Sequence, residues 1–218
     1  MAKSGLESTG AVVNRELRKV LDAEGAAEAK HLSGENVVAV GLPRGNRVKI
    51  SGTVGDFFGS MNEGAELVLN GEGGRYLGDS MSDGIIKVNG NAGHGLCSYL
   101  RGGTVIVKGN CLGDACAMMR GGLVLIDGTV RGDLGSFLQG GTVVVTADVK
   151  GLVGHQMQGG SILMLGEPAG VGEGVRAFSL TSKEKELLQQ LYKEHRFRRV
   201  LDLFATLSET GFRRYGRV

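Results

Sequence analysis

The chain has 218 residues, 41% of them hydrophobic, and its 25 Lys/Arg nearly balance 23 Asp/Glu to leave a net charge of +2. So small a charge, with no Lys/Arg block interleaved with aromatics, argues against a nucleic-acid surface, and no apolar run approaches the roughly 20 residues of a membrane-spanning helix. Glycine is abundant at 39 residues, but without a Gly-X-Y period collagen is excluded, and the regular placement of the glycines argues against low-complexity disorder.

Met1 to Gly10 has no apolar core of signal-peptide length, which predicts a soluble, cytoplasmic protein. Over Val12 to Ala23, Val13, Leu17, Val20 and Leu21 recur at helical spacing, with Glu16, Arg18 and Lys19 on the wet face. An amphipathic helix and linker are therefore expected over residues 1–35. Asn36 to Val40 and a strand over Arg47 to Ser51 read as an irregular first coil of a repeating array.

From Gly52 to Leu165 a 19-residue unit recurs six times, starting at Gly52, Gly71, Gly90, Gly109, Gly128 and Ala147, with the phase recovered at Gly166. A second bend, Asp83-Gly84, Gly102-Gly103, Gly121-Gly122, Gly140-Gly141 and Gly159-Gly160, opens a short β-branched and aliphatic strand in each unit. A fixed period of this size is the signature of stacked units. Nineteen residues cannot hold two helices, several glycines would weaken any helix by roughly 1 kcal/mol each, and no Leu-x-x-Leu-x-Leu frame is present. The prediction is an all-β fold: a single-stranded, right-handed parallel β-helix of about seven coils over residues 36–178, regular over 52–165.

The columns of the stack predict which residues face inward. Leu67/Leu69, Ile86/Val88, Val105/Val107, Val124/Ile126, Val143/Val145 and Ile162/Met164 form one core stripe; Phe58, Leu77, Leu96, Ala115, Leu134 and Val153 a second; Met81, Leu100, Met119, Leu138 and Met157 a third. Between the paired positions of the first stripe lie outward positions that are nevertheless apolar: Val68, Ile106, Leu125, Val144 and Leu163, interrupted by Lys87. Something must cover them. This row is the expected partner-docking face unless the chain seals it itself.

After the coils, Thr181-Ser-Lys-Glu184 has the form of a capping box ahead of Leu187, Leu188, Leu191 and Tyr192. A second helical stretch is predicted from Phe197, Val200, Leu201, Phe204 and Leu207. The tail is basic, with ten Lys/Arg against five Asp/Glu between Arg176 and Val218. Residues 179–218 therefore read as C-terminal helices and a basic tail, and the two helical ends as caps for strand edges that would otherwise invite polymerisation.

Reactive motifs are sparse. Cys97 and Cys116 share one column in consecutive coils, which with Cys111, His94 or His155 invites a metal or redox reading. The same column holds Gly59, Gly78, Gly135 and Gly154, however, so packing of a small residue is the stronger account. Gly170-Val-Gly-Glu-Gly174 and Gly93-His-Gly95 lack the strand and long helix that a phosphate cradle needs. Asp56, Asp79, Asp114 and Asp133 lie on bends, where Asp favours the turn itself. No catalytic or cofactor-binding residue is assigned.

Gly71-Glu-Gly-Gly-Arg-Tyr-Leu-Gly78, Gly90-Asn-Ala-Gly93 and Arg101-Gly-Gly-Thr-Val-Ile-Val-Lys-Gly109 resemble the Gly-x-Gly-x-Gly β-helix of the glutamate synthase large subunit's C-terminal domain, shared with the β-helical subunit of formylmethanofuran dehydrogenase. Asn14-Arg-Glu-Leu-Arg-Lys-Val-Leu21 and Phe212-Arg-Arg-Tyr-Gly216 look most like small stand-alone members that accompany glutamate-synthase-like and N-methylglutamate-synthase-like proteins. The resemblance implies a structural platform without catalytic residue or cofactor of its own. Its partners would be protein subunits carrying FMN and iron-sulfur clusters or, in a formylmethanofuran dehydrogenase, a molybdenum or tungsten cofactor. The structural glycines would be Gly52, Gly71, Gly90, Gly109, Gly128 and Gly166. A free-standing β-helix enzyme and a binding module that self-associates as a homo-oligomer are the alternatives.

Overall fold

In the computed structural model, which describes residues 9–195 and 212–218, the 19-residue period is a stack of coils. The chain runs α1 (Thr9–Glu24), β1 (Ala26–Glu35), β2 (Arg47–Val54), β3 (Glu63–Asn70), β4 (Asp83–Val88), β5 (Thr104–Val107), β6 (Leu123–Ile126) and β7 (Thr142–Val145). It continues through β8 (Val149–Val153), β9 (Ser161–Met164), β10 (Pro168–Val171), β11 (Val175–Phe178), α2 (Ser182–His195) and β12 (Arg213–Arg217). Strands β1 to β7 and β9 pair in parallel, each with the next, and in the regular coils Val105 lies opposite Ile86 and Val124, one period away on either side. Two further faces close each coil. Ala92, Cys111, Val130 and Val149 bridge in parallel along one, and Leu96, Ala115, Leu134 and Val153 along the other.

The three inward stripes are the core. Leu67, Leu69, Ile86, Val88, Val105, Val107, Val124, Ile126, Val143, Val145, Ile162 and Met164 have no exposed surface, and the Phe58 and Met81 columns are equally closed. Burial of a large aliphatic side chain is worth about 1.5–3 kcal/mol, and the period repeats that gain in every coil.

The coil count is about eight rather than seven, because β1 adds a parallel strand below β2. Its pairing slips between Lys30 and Leu32 and again between Ser33 and Glu35, and its edge carries Glu28, Lys30 and Glu35. Bulges and charges of this kind discourage edge-to-edge pairing. Helix α1 closes the same end. Leu17 and Leu21 join the core beside Val38 and Leu42, while Asn14 donates to the Val37 carbonyl and accepts the Ala39 N–H. Val20, expected on the buried side, is 40% exposed.

At the other end β12 runs antiparallel between β9 and β11, with Arg214 opposite Leu163 on one side and Phe178 on the other. The segment expected as a basic tail is thus the strand that ends the parallel stack, with β11 at the sheet's edge. The capping box forms as predicted: the Thr181 N–H donates to Glu184 Oε2 at 2.8 Å, and the Glu184 N–H donates to Thr181 Oγ1 at 3.3 Å. The predicted second helical stretch, Phe197 to Leu207, lies outside the described residues.

Candidate functional site

The outer apolar row is largely sealed by the chain itself. Leu188, Leu191 and Phe212 cluster with Ile106, Leu125, Val144 and Leu163, and all seven are buried, with Leu187 and Tyr192 packed at the margin. Helix α2 therefore covers four of the five residues expected to dock a partner, and only Val68, half-buried beyond the cover, keeps an open side. Of the two covers that the sequence leaves open, a partner or the chain's own C-terminal helix, the row has the second, because the helix that follows the coils folds back onto them. Glu184 on α2 and Arg214 on β12, 3.2 Å apart, tie the two covering elements together.

The cysteines lie in the core. Cys97, Cys111 and Cys116 are free, buried thiols. Burial pushes the Cys111 thiol up to about 11 and raises those of Cys97 and Cys116 as well, so all three stay protonated near neutrality, where the thiolate is the form that binds metals and attacks electrophiles. The column shared by Cys97 and Cys116 requires more than small size. Its backbone is left-handed throughout: φ is 63° at Gly59, 67° at Gly78, 55° at Cys97, 59° at Cys116, 68° at Gly135 and 71° at Gly154. A side chain there costs about 1–2 kcal/mol. Among the described residues no group of three His, Cys, Asp or Glu is placed to hold a metal ion.

The polar groups at the corners are acceptors for the neighbouring coil. Asp56 Oδ1 takes the Arg75 N–H at 2.8 Å, Asp114 Oδ1 the Asp133 N–H at 2.8 Å, and Asp133 Oδ1 the Leu152 N–H at 2.8 Å. At another corner, Glu72, Asn91 and Asn110 accept the N–H groups of Asn91, Asn110 and Thr129 at 3.1, 2.8 and 2.9 Å. His94 joins the first ladder: its Nδ1 accepts the Asp114 N–H at 3.3 Å, which leaves the ring hydrogen on Nε2. These side chains satisfy backbone donors at exposed and half-buried bends, where each such bond contributes about 0.5–1.5 kcal/mol. Asp56, Asp114 and Asp133 are thereby engaged in holding coils together, whereas the Asp79 carboxylate accepts from the neighbouring Ser80 hydroxyl at 3.0 Å.

The glycines at the unit starts mark close approach of backbones. A methyl at Gly52 would lie 2.3 Å from the Leu32 carbonyl oxygen, at Gly71 1.8 Å from that of Gly52, and at Gly90 2.3 Å from that of Gly71. Gly109, Gly128 and Gly166 meet the preceding coil's backbone oxygen at 2.7, 2.5 and 2.6 Å. Gly172 and Gly174 of the other glycine-rich segment follow β10 and lead into β11, not into a helix.

Among the described residues, the face carrying Phe58 and Leu96 on its inner side is open. Outward from it, Phe57 stacks on Tyr76 at 5.1 Å, Tyr76 meets His94 edge-on at 6.0 Å, and the Arg75 guanidinium lies 5.7 Å above the Tyr76 ring. Met61 and Tyr99 are 57% and 46% exposed on the same face. Sequence columns held this signal, since Met61, Tyr99, Met118 and Phe137 share one position of the repeat, but their outward direction follows from a left-handed backbone that residue type does not announce. A groove of about 580 Å³, bordered by Arg44, Arg47, Glu66 and Asp83 and bridged by the Arg44–Asp83 ion pair, opens at the adjoining bend. No described helix is long and apolar enough to cross a membrane. No protein-family model matches the chain, and a search of curated proteins finds no match.

Proposed function

We propose that this chain is a non-catalytic structural subunit that docks partner proteins in a glutamate-synthase-like oxidoreductase, the flavin and iron-sulfur chemistry belonging to those partners. The observation that carries the reading is the engagement of the corner acids, amides and His94 as backbone acceptors for the neighbouring coil, beside an open aromatic and methionine face. Polar side chains committed to a stack serve rigidity, and an uncovered apolar face on a rigid stack serves contact. The class of complex is what the resemblance of the coils to the glutamate synthase β-helix implies. Purification of the tagged chain from its native host is expected to bring down a flavin-binding partner, seen as a flavin absorption spectrum that the isolated chain lacks. Recovery with pterin-metal proteins would move the reading to a formylmethanofuran dehydrogenase. A chain that elutes alone, or that turns over a substrate by itself, would overturn it.

A further inference from the structure

On the open face, Tyr99, Met118 and Phe137 occupy one position in three consecutive coils. Each has a left-handed backbone, and each donates its N–H to the coil above, to Ala117, Ser136 and His155. Two residues further on stand Arg101, Arg120 and Gln139, all exposed. Arg101 and Arg120 are stacked one coil apart, about 4.8 Å along the axis, the Arg120 N–H donating to the carbonyl of Leu100. Among the described residues neither guanidinium has an ion-pair partner, and the acid of the adjoining bend, Asp83, is held by Arg44 instead. Like charges directly opposite on neighbouring strands destabilise a sheet. Two cations in register beside the exposed Tyr99 and the half-buried Met118 and Phe137 are therefore a cost to the free chain that an incoming anion removes.

Resting on that docking function, we infer that this strip receives an acidic segment of a partner protein, with a carboxylate bridging Arg101 and Arg120 and an apolar or aromatic side chain on Tyr99, Met118 and Phe137. Guanidinium forks grip a carboxylate with directional, charge-assisted hydrogen bonds, and Tyr and Arg are the residue types that dominate binding energy at protein interfaces.

The test is fluorescence anisotropy of the full chain with a labelled short peptide of alternating Glu and Tyr, its Gln/Tyr counterpart, and an RNA oligomer of equal length. The Glu/Tyr peptide is expected to bind about tenfold more tightly than the Gln/Tyr peptide, a preference that fades with salt and is lost in Arg101→Glu/Arg120→Glu. Tyr99→Ser should weaken both peptides alike. Thermal melting checks folding, and Arg101→Gln/Arg120→Gln, which adds no charge, should lose the same preference. Equal binding of the two peptides, binding undiminished in both arginine double variants, or tighter binding of the RNA overturns the assignment. In the native host, a wild-type chain recovered with no partner defeats the docking function itself. A charge-reversed variant that retains the wild type's partners in equal yield defeats only the strip.

Discussion

Replacing Gly71 and Gly78 by alanine, one at a time, tests how much backbone contact between coils adds to the cost of torsion, since φ is positive at both, 155° and 67°. At Gly78 the backbone is left-handed, φ 67°, but the new methyl would find only ordinary neighbours, Cys97 Sγ and Ile86 Cδ1 both at 3.5 Å and Val105 Cγ2 at 3.6 Å. The torsion costs about 1–2 kcal/mol, a less flexible unfolded chain returns about 0.4–1, and a buried carbon returns about 0.8, so Gly78→Ala should change stability by less than about 1 kcal/mol in either direction. At Gly71 the methyl would sit 1.8 Å from the Gly52 carbonyl oxygen and 2.7 Å from its carbon. No rotamer relieves a clash between backbones. The two coils must part by more than an ångström, which breaks backbone hydrogen bonds worth about 1–3 kcal/mol each when left buried and unsatisfied, for a loss of at least about 3 kcal/mol. Urea unfolding followed by circular dichroism compares the midpoints, the appropriate quantity because stacked arrays do not always unfold in one step. A Gly71→Ala midpoint equal to or above that of Gly78→Ala would refute the reasoning.

Cys97, Cys111 and Cys116 should resist a thiol reagent in the native chain at mildly alkaline pH and all react once it is unfolded, because burial both shields them and raises their pKa values; rapid native modification of Cys97 or Cys116 would contradict their place in the core. Leu188→Ala should weaken α2 docking by about 2–4 kcal/mol, visible as lost amide-exchange protection in α2 with protection retained in β5 to β9. Uniform loss of protection would show that cover and stack unfold together. Deleting Arg213 to Val218 exposes the paired edge of β9 and should give concentration-dependent association in light scattering, whereas a dilution-independent monomer would count against β12 as a terminator. Burial, aided by Lys108, holds His195 below its ordinary 6.5. As pH falls through that value the unfolded chain takes up the proton first, so this contribution to α2 is present above about 6.5 and declines below it. Replacing His195 by Gln should flatten the acid-side fall in helicity.

The regular coils were legible because each position recurs. A column of Leu, Ile, Val and Met at one offset states its facing more firmly than any single strand does, and the expected inward pairs from Val105/Val107 to Ile162/Met164 all lie buried in β5, β6, β7 and β9. The ends carried no such redundancy. Ala26 to Glu35 alternates weakly and is rich in charge, so nothing in its composition announces that it pairs with Arg47 to Val54. Arg213 to Arg217 reads as a basic tail because its strand character is conferred by the edges of β9 and β11 on either side of it. The cover over Ile106, Leu125, Val144 and Leu163 depends on where α2 lands, a long-range fact that an amphipathic pattern leaves open. Composition explained why Cys97 and Cys116 are small, but their torsions were invisible to it.

The antiparallel clip of β12 touches only the last coil, and α1 touches only the first. Length is therefore a free parameter of this architecture. A whole 19-residue unit inserted or removed between Gly52 and Gly90, outside the coils that α2 covers, would move the two ends by about 4.8 Å and leave both terminations intact. The stack acts as a ruler graduated in coils, and the distance at which it holds what is bound near one end from what is bound near the other changes in steps of one coil rather than continuously.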